Sequence, residues 1–359
     1  MTDFQKQIED IEKEIRETPY HKGTEHHIGI LRARLSRLKD KMLDSEVRSK
    51  GGGGGIGYAV KHQGDATIVL VGPPSVGKST LLNALTNAQS KVAPYSFTTV
   101  SVIPGMMTYR NAKIQILDVP GLIEGAEVGK GRGKEVLSVI RGCDLLLLIS
   151  EVGKENAFDR IKAALEKNGI RIDKEPPKIS IEKKHQGGVI IHSNIHQTID
   201  KDVIKDIVAE MGLKNAEVTI KERLNIEGLL DGLSRNRVYI PSINVINKID
   251  IGEESDKYKN DTILISAENQ FNLDKLKEII FDKLKFITVY LVNNDEETGT
   301  NNPMVVKENT KLSGILKSLG SNFSENKIYA KIWGSGAKFP GQEVSLSSTV
   351  EDGMQIRFI

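Results

Sequence analysis

Apolar and polar residues along this chain of 359 residues follow two periods, one typical of helices and one typical of buried strands. In residues 1–50 the apolar positions recur at helical spacing, which places them on one face. Pro19 and Gly23 interrupt this pattern, so it predicts two helices in a hairpin with one apolar seam. The seam positions are Phe4, Ile8, Ile11 and Ile15, followed by Ile28, Leu31, Leu35, Leu38 and Met42.

Residues 51–168 begin with five glycines at 51–55, which are typical of a flexible linker. Short apolar runs then alternate with amphipathic stretches, and this predicts an α/β fold with a mostly parallel sheet. We expect strands at 66–72 and 144–150, a β-hairpin at 101–117 that turns at Arg110 and Asn111, and helices at 80–88, 134–142 and 155–168. The pattern resumes with strands at 242–247 and 262–266 and a helix at 273–285.

The regular alternation fails between residues 169 and 237, where about 70 residues exceed what the missing βα units require. Two strand-like runs at 178–183 and 188–192 are expected to pair with each other. An amphipathic helix at 201–211 follows Asp200, a good N-cap residue. This segment is predicted to be an inserted α+β subdomain.

Residues 287–359 follow a third pattern of predicted elements, with two strands, one helix and two more strands. This order suggests a small β-grasp domain. The strands are expected at 287–292, 304–307, 327–333 and 355–359, and the helix at 311–319. The predicted domains are therefore a helical hairpin (1–50), an α/β core in two parts (51–168 and 238–286), the insert (169–237) and the C-terminal domain (287–359).

Composition excludes several classes of protein. The 50 basic and 48 acidic residues give a net charge of +2, which argues neither for nor against a nucleic-acid partner. The single cysteine, Cys143, excludes an internal disulfide and is expected to be a small buried residue. The longest apolar run, 145–149, is too short to cross a membrane, and the N-terminus lacks a signal core. We expect a cytoplasmic protein with no membrane partner.

The second predicted helix carries a cluster of cations. These are Arg32, Arg34, Arg37, Lys39 and Lys41. They form either a solvated helix face or a surface that faces RNA, and the sequence leaves both open.

The motif GPPSVGKST follows the first apolar run of the core and opens its first helix. It matches the P-loop pattern Gly-x4-Gly-Lys-Ser, whose backbone N–H groups and lysine surround the β- and γ-phosphates of a nucleotide. We expect Lys78 to contact these phosphates and the hydroxyl of Ser79 to bind Mg²⁺. The predicted nucleotide-binding residues of the motif are Gly72, Pro73, Pro74, Ser75, Val76, Gly77, Lys78, Ser79 and Thr80.

A second motif, Asn247-Lys248-Ile249-Asp250, indicates which base is bound. The carboxylate of Asp250 can accept hydrogen bonds from N1–H and the exocyclic amine of guanine. Adenine has no donors there, and sites built around such donors reject an analogue without them by roughly 10⁴-fold or more. The sequence therefore predicts GTP and GDP as ligands.

Two further motifs complete the expected order of a guanine nucleotide site. Asp118-Val119-Pro120-Gly121 follows the apolar strand 112–117, and Ser266-Ala267-Glu268 follows the strand 262–265. We expect Asp118 to lie at the Mg²⁺ and the backbone N–H of Gly121 to meet the γ-phosphate. Ser266 and Ala267 are expected at the base.

Residues 72–105, 118–149, 236–250 and 331–358 resemble the developmentally regulated GTP-binding proteins of the Obg-related GTPases. The similarity covers nearly the whole chain, in the same order of parts. It implies a P-loop GTPase core, an insert like a fold found in a small-subunit ribosomal protein, and a C-terminal TGS domain. The short chain without eukaryotic extensions favours an archaeal member.

The resemblance also implies residue roles. Thr99, with Thr98 as the alternative, matches the switch threonine that completes the Mg²⁺ and water sites when GTP is bound. Asn247 should tie the base-binding loop to the P-loop, Lys248 should lie over the guanine plane, and the Ala267 N–H should meet guanine O6. The expected catalytic residues are Lys78, Thr99 and Gly121, and the expected metal ligands are Ser79, Thr99 and Asp118.

Residues at three positions affect the expected rate of hydrolysis and the expected cofactors. Ras-type proteins orient the attacking water with a glutamine where this chain has Leu122, so we expect slow intrinsic hydrolysis and a group supplied by a partner. Glu124 is a nearby candidate for that group or a solvated loop acid. Obg proteins commonly have an asparagine that helps to hold a monovalent cation where this chain has Ser75, a weaker ligand, so K⁺ is a candidate cofactor beside Mg²⁺.

The loop that follows Asp118 is rich in glycine, which suits an order–disorder switch. Its cations Lys130, Arg132 and Lys134 either meet RNA phosphates or keep the loop solvated.

The leading prediction is a GTP-hydrolysing switch that acts on the ribosome or translation machinery, with RNA or a regulatory protein as partner. The alternative is an RNA- or ribosome-binding scaffold that senses guanine nucleotide with negligible turnover. An Obg-like ATPase is disfavoured by Asp250.

Overall fold

The computed structural model describes residues 3–49, 64–86, 93–94, 101–119, 132–250, 262–293, 298–325 and 327–359. Its helices are α1 (Asp3–Glu17), α2 (Glu25–Ser49), α3 (Lys78–Leu85), α4 (Arg132–Arg141), α5 (Asn156–Lys167), α6 (Lys201–Glu210), α7 (Ile226–Leu233), α8 (Leu273–Lys283), α9 (Leu312–Ser318) and α10 (Ser321–Ser324). Its first strands are β1 (Ala66–Val71), β2 (Ala93–Pro94), β3 (Ser101–Tyr109), β4 (Ala112–Asp118), β5 (Leu145–Glu151), β6 (Ile170–Ile172), β7 (Ile179–Lys183), β8 (Val189–Ser193) and β9 (Ala216–Ile220). The others are β10 (Val238–Ile240), β11 (Ser242–Asn247), β12 (Thr262–Leu264), β13 (Phe286–Leu291), β14 (Pro303–Lys307), β15 (Tyr329–Trp333), β16 (Gln342–Ser345) and β17 (Gln355–Phe358).

The chain divides into two compact units. The first joins Met1–Tyr58 with Glu166–Tyr239, and the second joins Ala59–Leu165 with Ile240–Ile359.

The second unit contains a seven-stranded sheet in the order β12-β11-β5-β1-β4-β3-β2. Strands β12, β11, β5, β1 and β4 are parallel to their neighbours, and β3 joins β4 antiparallel. Every residue of β1 is buried, which is why this strand is a continuous apolar run. The expected α/β fold with a mostly parallel sheet is confirmed, and the carboxyl ends of β1, β4, β11 and β12 lie at one edge of it.

Local chemistry sets the bounds of these elements. The predicted turn between β3 and β4 is confirmed, because Arg110 and Asn111 both have positive φ (46° and 65°), as a tight hairpin turn requires. Helix α3 begins at Lys78, two residues before the expected start, because Gly77 at φ 88° is its N-cap.

The C-terminal part of the second unit is a five-stranded sheet in the order β14-β13-β17-β15-β16, with α9 packed on one face. Strand β16 lies outside the predicted strands. Phe286 and Val305 reach across to the apolar cluster of the core. The ring of Phe281 contacts that of Tyr109 edge-to-face and that of Phe286 at a tilt, with centroids 5.9 and 5.5 Å apart. Lys307 forms an ion pair with Asp144.

The first unit combines α1 and α2 with the inserted segment. Its three-stranded sheet has the order β7-β9-β8, so β9 lies between the two strands expected to pair with each other. That expected pairing is wrong, since β9 pairs antiparallel with β7 and parallel with β8. The sequence prediction also missed α7, and β6 pairs with β10 in a separate two-stranded sheet.

Four of the five cations of α2 contact groups of the first unit. Arg32 contacts Glu227 at 3.1 Å, Arg34 contacts Glu210 at 3.2 Å, and Lys39 contacts Glu12 at 2.8 Å. Arg37 donates to the carbonyl oxygen of Glu210. These four side chains therefore have partners inside the first unit, although Arg34 is still 52% exposed. The choice between a solvated face and a surface that faces RNA stays open.

No helix in the described part of the chain is both long and apolar enough to cross a membrane. Cys143 is buried, as expected, and burial raises the pKa of its thiol. The glycine run at 51–55 lies outside the described residues. The predicted domain bounds stay predictions.

Candidate functional site

The P-loop connects β1 to α3 at the edge of the sheet where the carboxyl ends of β1, β4, β11 and β12 lie. Lys78, the first residue of α3, donates through Nζ to the carbonyl oxygens of Gly72 (3.0 Å) and Pro73 (2.8 Å). The ammonium group therefore lies against the loop, where phosphate oxygens can replace the two carbonyl oxygens as its partners. Among the other motif residues, Val76 is buried and Pro74, Ser75, Ser79 and Thr80 are exposed.

Close approach explains both glycines of the motif. A Cβ at Gly72 would lie 2.3 Å from the carbonyl oxygen of Ile149. A Cβ at Gly77 would lie 2.4 Å from Nδ2 of Asn247, and the φ of 88° disfavours any side chain there. The P-loop thus packs directly against Asn247.

Ser79 and Asp118 meet at the phosphate end of the site. The Ser79 hydroxyl donates to Oδ2 of Asp118 at 2.6 Å. Asp118 is 4% exposed, and its Oδ1 is buried with no hydrogen-bond partner among the described residues. A buried carboxylate oxygen beside a hydroxyl is the hard oxygen donor set that Mg²⁺ prefers, so these residues fit the expected metal.

Asn247, at the end of β11, connects two motifs that are distant in sequence. Its Nδ2 donates to the carbonyl oxygen of Val76 at 2.9 Å, and its Oδ1 accepts from the Ala267 N–H at 2.9 Å. The side chain is 2% exposed. The Ala267 N–H, expected at guanine O6, is thus a partner of Asn247 in this structure.

Lys248 lies beside the P-loop in a left-handed conformation with φ 65°. Its Nζ donates to the carbonyl oxygen of Ser75 (2.7 Å) and to Oε2 of Glu151 (3.0 Å). Glu151 was not among the predicted site residues. Its signal in the sequence is weak, since it is one acid at the end of an apolar run.

The loop after β12 is closed by its own backbone. Ser266 and Phe271 exchange two backbone hydrogen bonds, of 3.3 and 3.0 Å. The Ser266 hydroxyl accepts from the Asn269 N–H, and the side chain of Asn272 donates to the carbonyl oxygen of Leu264. Ala267 is therefore held in a preformed loop, while the carboxylate residue Asp250 is exposed at the end of its motif.

Several expected residues lie outside the described part of the chain. They are Thr98, Thr99, Pro120, Gly121, Leu122, Glu124 and Lys130. Arg132 and Lys134 are described only as backbone in α4. The structure thus brings together Gly72–Thr80, Asp118, Asn247, Lys248 and Ala267, and the roles of all these residues stay predictions.

A P-loop that opens a helix at the carboxyl edge of a mostly parallel sheet, beside an Asn-Lys-x-Asp motif, defines the GTPase class of P-loop proteins. Comparison with known proteins agrees. Residues 67–184 match the model of the family described as "50S ribosome-binding GTPase", and residues 186–286 match that of the "C-terminal region of MMR_HSR1 domain".

Three relatives of similar length narrow the class to a family. The chain is 43% identical to an uncharacterized GTP-binding protein of Methanocaldococcus jannaschii, over 98% of this chain and 91% of that protein. It is 39% identical to developmentally-regulated GTP-binding protein 1 of Xenopus laevis, over 98% of both chains. It is 36% identical to ribosome-interacting GTPase 1 of Saccharomyces cerevisiae, over 96% of both chains. The chain belongs to the family of developmentally regulated GTP-binding proteins among the Obg-related GTPases.

Proposed function

We propose that this protein hydrolyses GTP to GDP and phosphate as a Mg²⁺-dependent molecular switch, and that the ribosome or its RNA is the partner. The observation that carries the proposal is the position of Asn247, which hydrogen-bonds the P-loop at Val76 and the base-binding loop at Ala267. These two hydrogen bonds support a single site in which the P-loop and the base-binding loop act together. A ribosomal target would place the protein in the cytoplasm.

At the phosphates, Lys78 exchanges the carbonyl oxygens of Gly72 and Pro73 for the β- and γ-phosphate oxygens. Ser79 and Asp118 would hold Mg²⁺, with Thr99 as a third ligand when GTP is bound. The metal, when bound, neutralises phosphate charge. The Gly121 N–H would meet the γ-phosphate.

At the base, Asp250 accepts from the two guanine donors and the stem of Lys248 covers the ring plane. Ser266 and Ala267 line the side of the base site that faces the carbonyl group of guanine. This arrangement favours guanine over adenine because adenine would leave the Asp250 carboxylate without donors.

Base recognition is tested by Asp250→Asn. We expect this variant to lose its preference for GTP over ATP and to gain affinity for XTP, because an amide can donate to the 2-oxo group of xanthine. Competition of each nucleotide against mant-GDP, a fluorescent GDP analogue, measures the change. An unchanged preference for GTP would contradict the guanine assignment.

Intrinsic hydrolysis is proposed to be slow because Leu122 cannot hydrogen-bond a water. A partner would supply the missing group, and in comparable systems this accelerates hydrolysis by about 10³- to 10⁵-fold. The ribosome is the proposed partner because one relative of the chain is named a ribosome-interacting GTPase.

Single-turnover GTP hydrolysis with and without purified ribosomes tests this, with Lys78→Ala as the blank. A large ribosome-dependent acceleration is the expected result. A rate that stays slow with every ribosome preparation, while GTP remains bound, would favour the scaffold that senses nucleotide without turnover. Replacing K⁺ by Na⁺ in the same assay tests whether K⁺ contributes despite Ser75.

A further inference from the structure

Glu151 ends β5, the strand that lies between β1 and β11 in the core sheet. In the register of the parallel pair β5–β11, Glu151 is directly opposite Asn247. The carboxylate thus emerges at the same level of the sheet as the base-recognition motif, next to the P-loop that follows β1. Glu151 and the base-recognition motif are distant in the sequence, and the pairing of β5 with β11 brings them together.

Two cations share this carboxylate. Lys248 contacts Oε2 at 3.0 Å, and Lys154 forms a close ion pair with Oε1. The side chain of Glu151 is 21% exposed, and hydrogen bonds from Lys154 and then Lys248 lower the pKa of its carboxyl. Glu151 therefore remains ionised at neutral pH.

The turn that brings Lys154 to Glu151 is built independently of the nucleotide site. The Lys154 N–H donates to the carbonyl oxygen of Glu151, and the Ser150 hydroxyl donates to the carbonyl oxygen of Lys154. Gly153 has a positive φ of 81° in this turn. Lys154 thus contacts Glu151 on its solvent side, and the other carboxylate oxygen faces Lys248.

We propose that Glu151 is a positioning residue of the nucleotide site, which holds Lys248 against the P-loop before guanine nucleotide binds. The proposal rests on the proposed function, since it assumes that guanine lies along the stem of Lys248. The Ser75 carbonyl and the Glu151 carboxylate clamp the ammonium group from two sides, so the stem between them is held in one conformation.

The reason for such a clamp is conformational entropy. A free lysine side chain samples many rotamers, and ordering it upon binding weakens affinity. The Ser75 carbonyl offers the ammonium group only a dipole, whereas the Glu151 carboxylate adds the attraction of an opposite charge. Glu151 orders Lys248 in advance, so the bound nucleotide is retained longer.

The test is the rate constant of mant-GDP release from four full-length proteins in a double-mutant cycle: wild type, Glu151→Gln, Lys248→Met and the double variant. Glu151→Gln keeps the shape of the side chain and removes its charge. We expect this variant to release mant-GDP about tenfold faster than wild type, which corresponds to ~1.4 kcal/mol. In the Lys248→Met background the same change should add less than about twofold, because its effect passes through Lys248.

Lys154→Gln is the matched control. It removes the other partner of Glu151 and leaves the Lys248 contact, so release should stay within about twofold of wild type. Thermal unfolding of each nucleotide-free variant separates positioning from stability. If Glu151→Gln fails to fold, Glu151→Asp replaces it, since its shorter side chain keeps the charge but draws away from Lys248.

Additive effects of the two single variants, or normal release from Glu151→Gln, would overturn the proposal. Failure of the proposed function has a different signature. In that case wild-type protein would not distinguish mant-GDP from mant-ADP, whatever stands at position 151.

Discussion

At the scale of single residues, the decisive contact joins the P-loop glycine to the base-recognition asparagine. Gly77 has a left-handed backbone, and the space where its side chain would stand is taken by Nδ2 of Asn247. Asn247 cannot withdraw freely, since it satisfies the carbonyl of Val76 and the N–H of Ala267 in a buried environment. Position 77 therefore governs the base site as well as the phosphate site.

Substitution of Gly77 by alanine tests this link. Gly77→Ala should lower the free energy of unfolding by about 2 kcal/mol or more, through strain and the displaced Asn247. It should also abolish mant-GDP binding. Gly153→Ala is the control, because Gly153 is also left-handed (φ 81°) but has nothing within 4 Å of the added Cβ. Its cost should be about 1 kcal/mol, with nucleotide affinity unchanged. Equal effects of the two variants would contradict the role of the Asn247 contact.

At the scale of elements, one acid organises the first unit. Asp231 in α7 accepts two hydrogen bonds from Arg171 in β6, at 2.5 and 2.6 Å, and one from Arg237 at 2.8 Å. Arg237 donates onward to the buried Ser36 in α2. The Asp231 side chain is only 13% exposed. One largely buried carboxylate therefore binds two guanidinium groups.

Loss of this charge should destabilise the unit strongly. Asp231→Asn removes the paired carboxylate of Arg171 and leaves Arg237 with only the more distant Asp40, 3.9 Å away, as an opposite charge. We expect this to cost about 3 kcal/mol. Glu227→Gln, which breaks only the exposed ion pair with Arg32, should have little effect. Urea unfolding of both variants, followed by circular dichroism, measures the difference. A small effect of Asp231→Asn would contradict the role of this carboxylate in the stability of the first unit.

Periodicity predicted the elements of the core well, because each buried strand and amphipathic helix there carries its own pattern. The motifs, rather than periodicity, placed Lys78 and Ser79 in the site, and the family resemblance predicted that Asn247 joins the base-binding loop to the P-loop. Glu151 was missed because its importance depends on the β5–β11 register. The strand order of the insert and the partners of the α2 arginines were missed for the same reason, since both depend on contacts distant in sequence.

At the scale of the whole molecule, the C-terminal sheet and the nucleotide core share one apolar cluster. Phe286 is 7% exposed and Val305 is 6% exposed, and both belong to the cluster formed by the core strands. The backbone N–H of Glu308 also donates to the carbonyl oxygen of Lys285, directly after α8. We therefore expect these two parts of the second unit to unfold together.

The single tryptophan makes this measurable. Trp333 lies in β15 of the C-terminal sheet, while mant-GDP reports on the core. In urea, the change in Trp333 fluorescence and the release of mant-GDP should share one midpoint. Phe286→Ala should lower both midpoints together, at a cost of about 3 kcal/mol. Phe323→Ala, at a half-exposed position of α10, should change neither substantially. Two separate midpoints in the wild-type protein would contradict the shared core.

The first unit is built from two separate segments of the chain, and this has a consequence for how the protein can evolve. Its two segments, Met1–Tyr58 and Glu166–Tyr239, are far apart in the gene but form one body, with Ala33 of α2 buried among the apolar residues of the insert. A descendant that lost either segment would expose the apolar face of the other. The ends of the insert also meet, since the Val238 N–H donates to the carbonyl oxygen of Gly169. Deletion of the whole insert would therefore leave two chain ends that lie close enough to be rejoined. Evolution would therefore gain or lose the two segments as a pair.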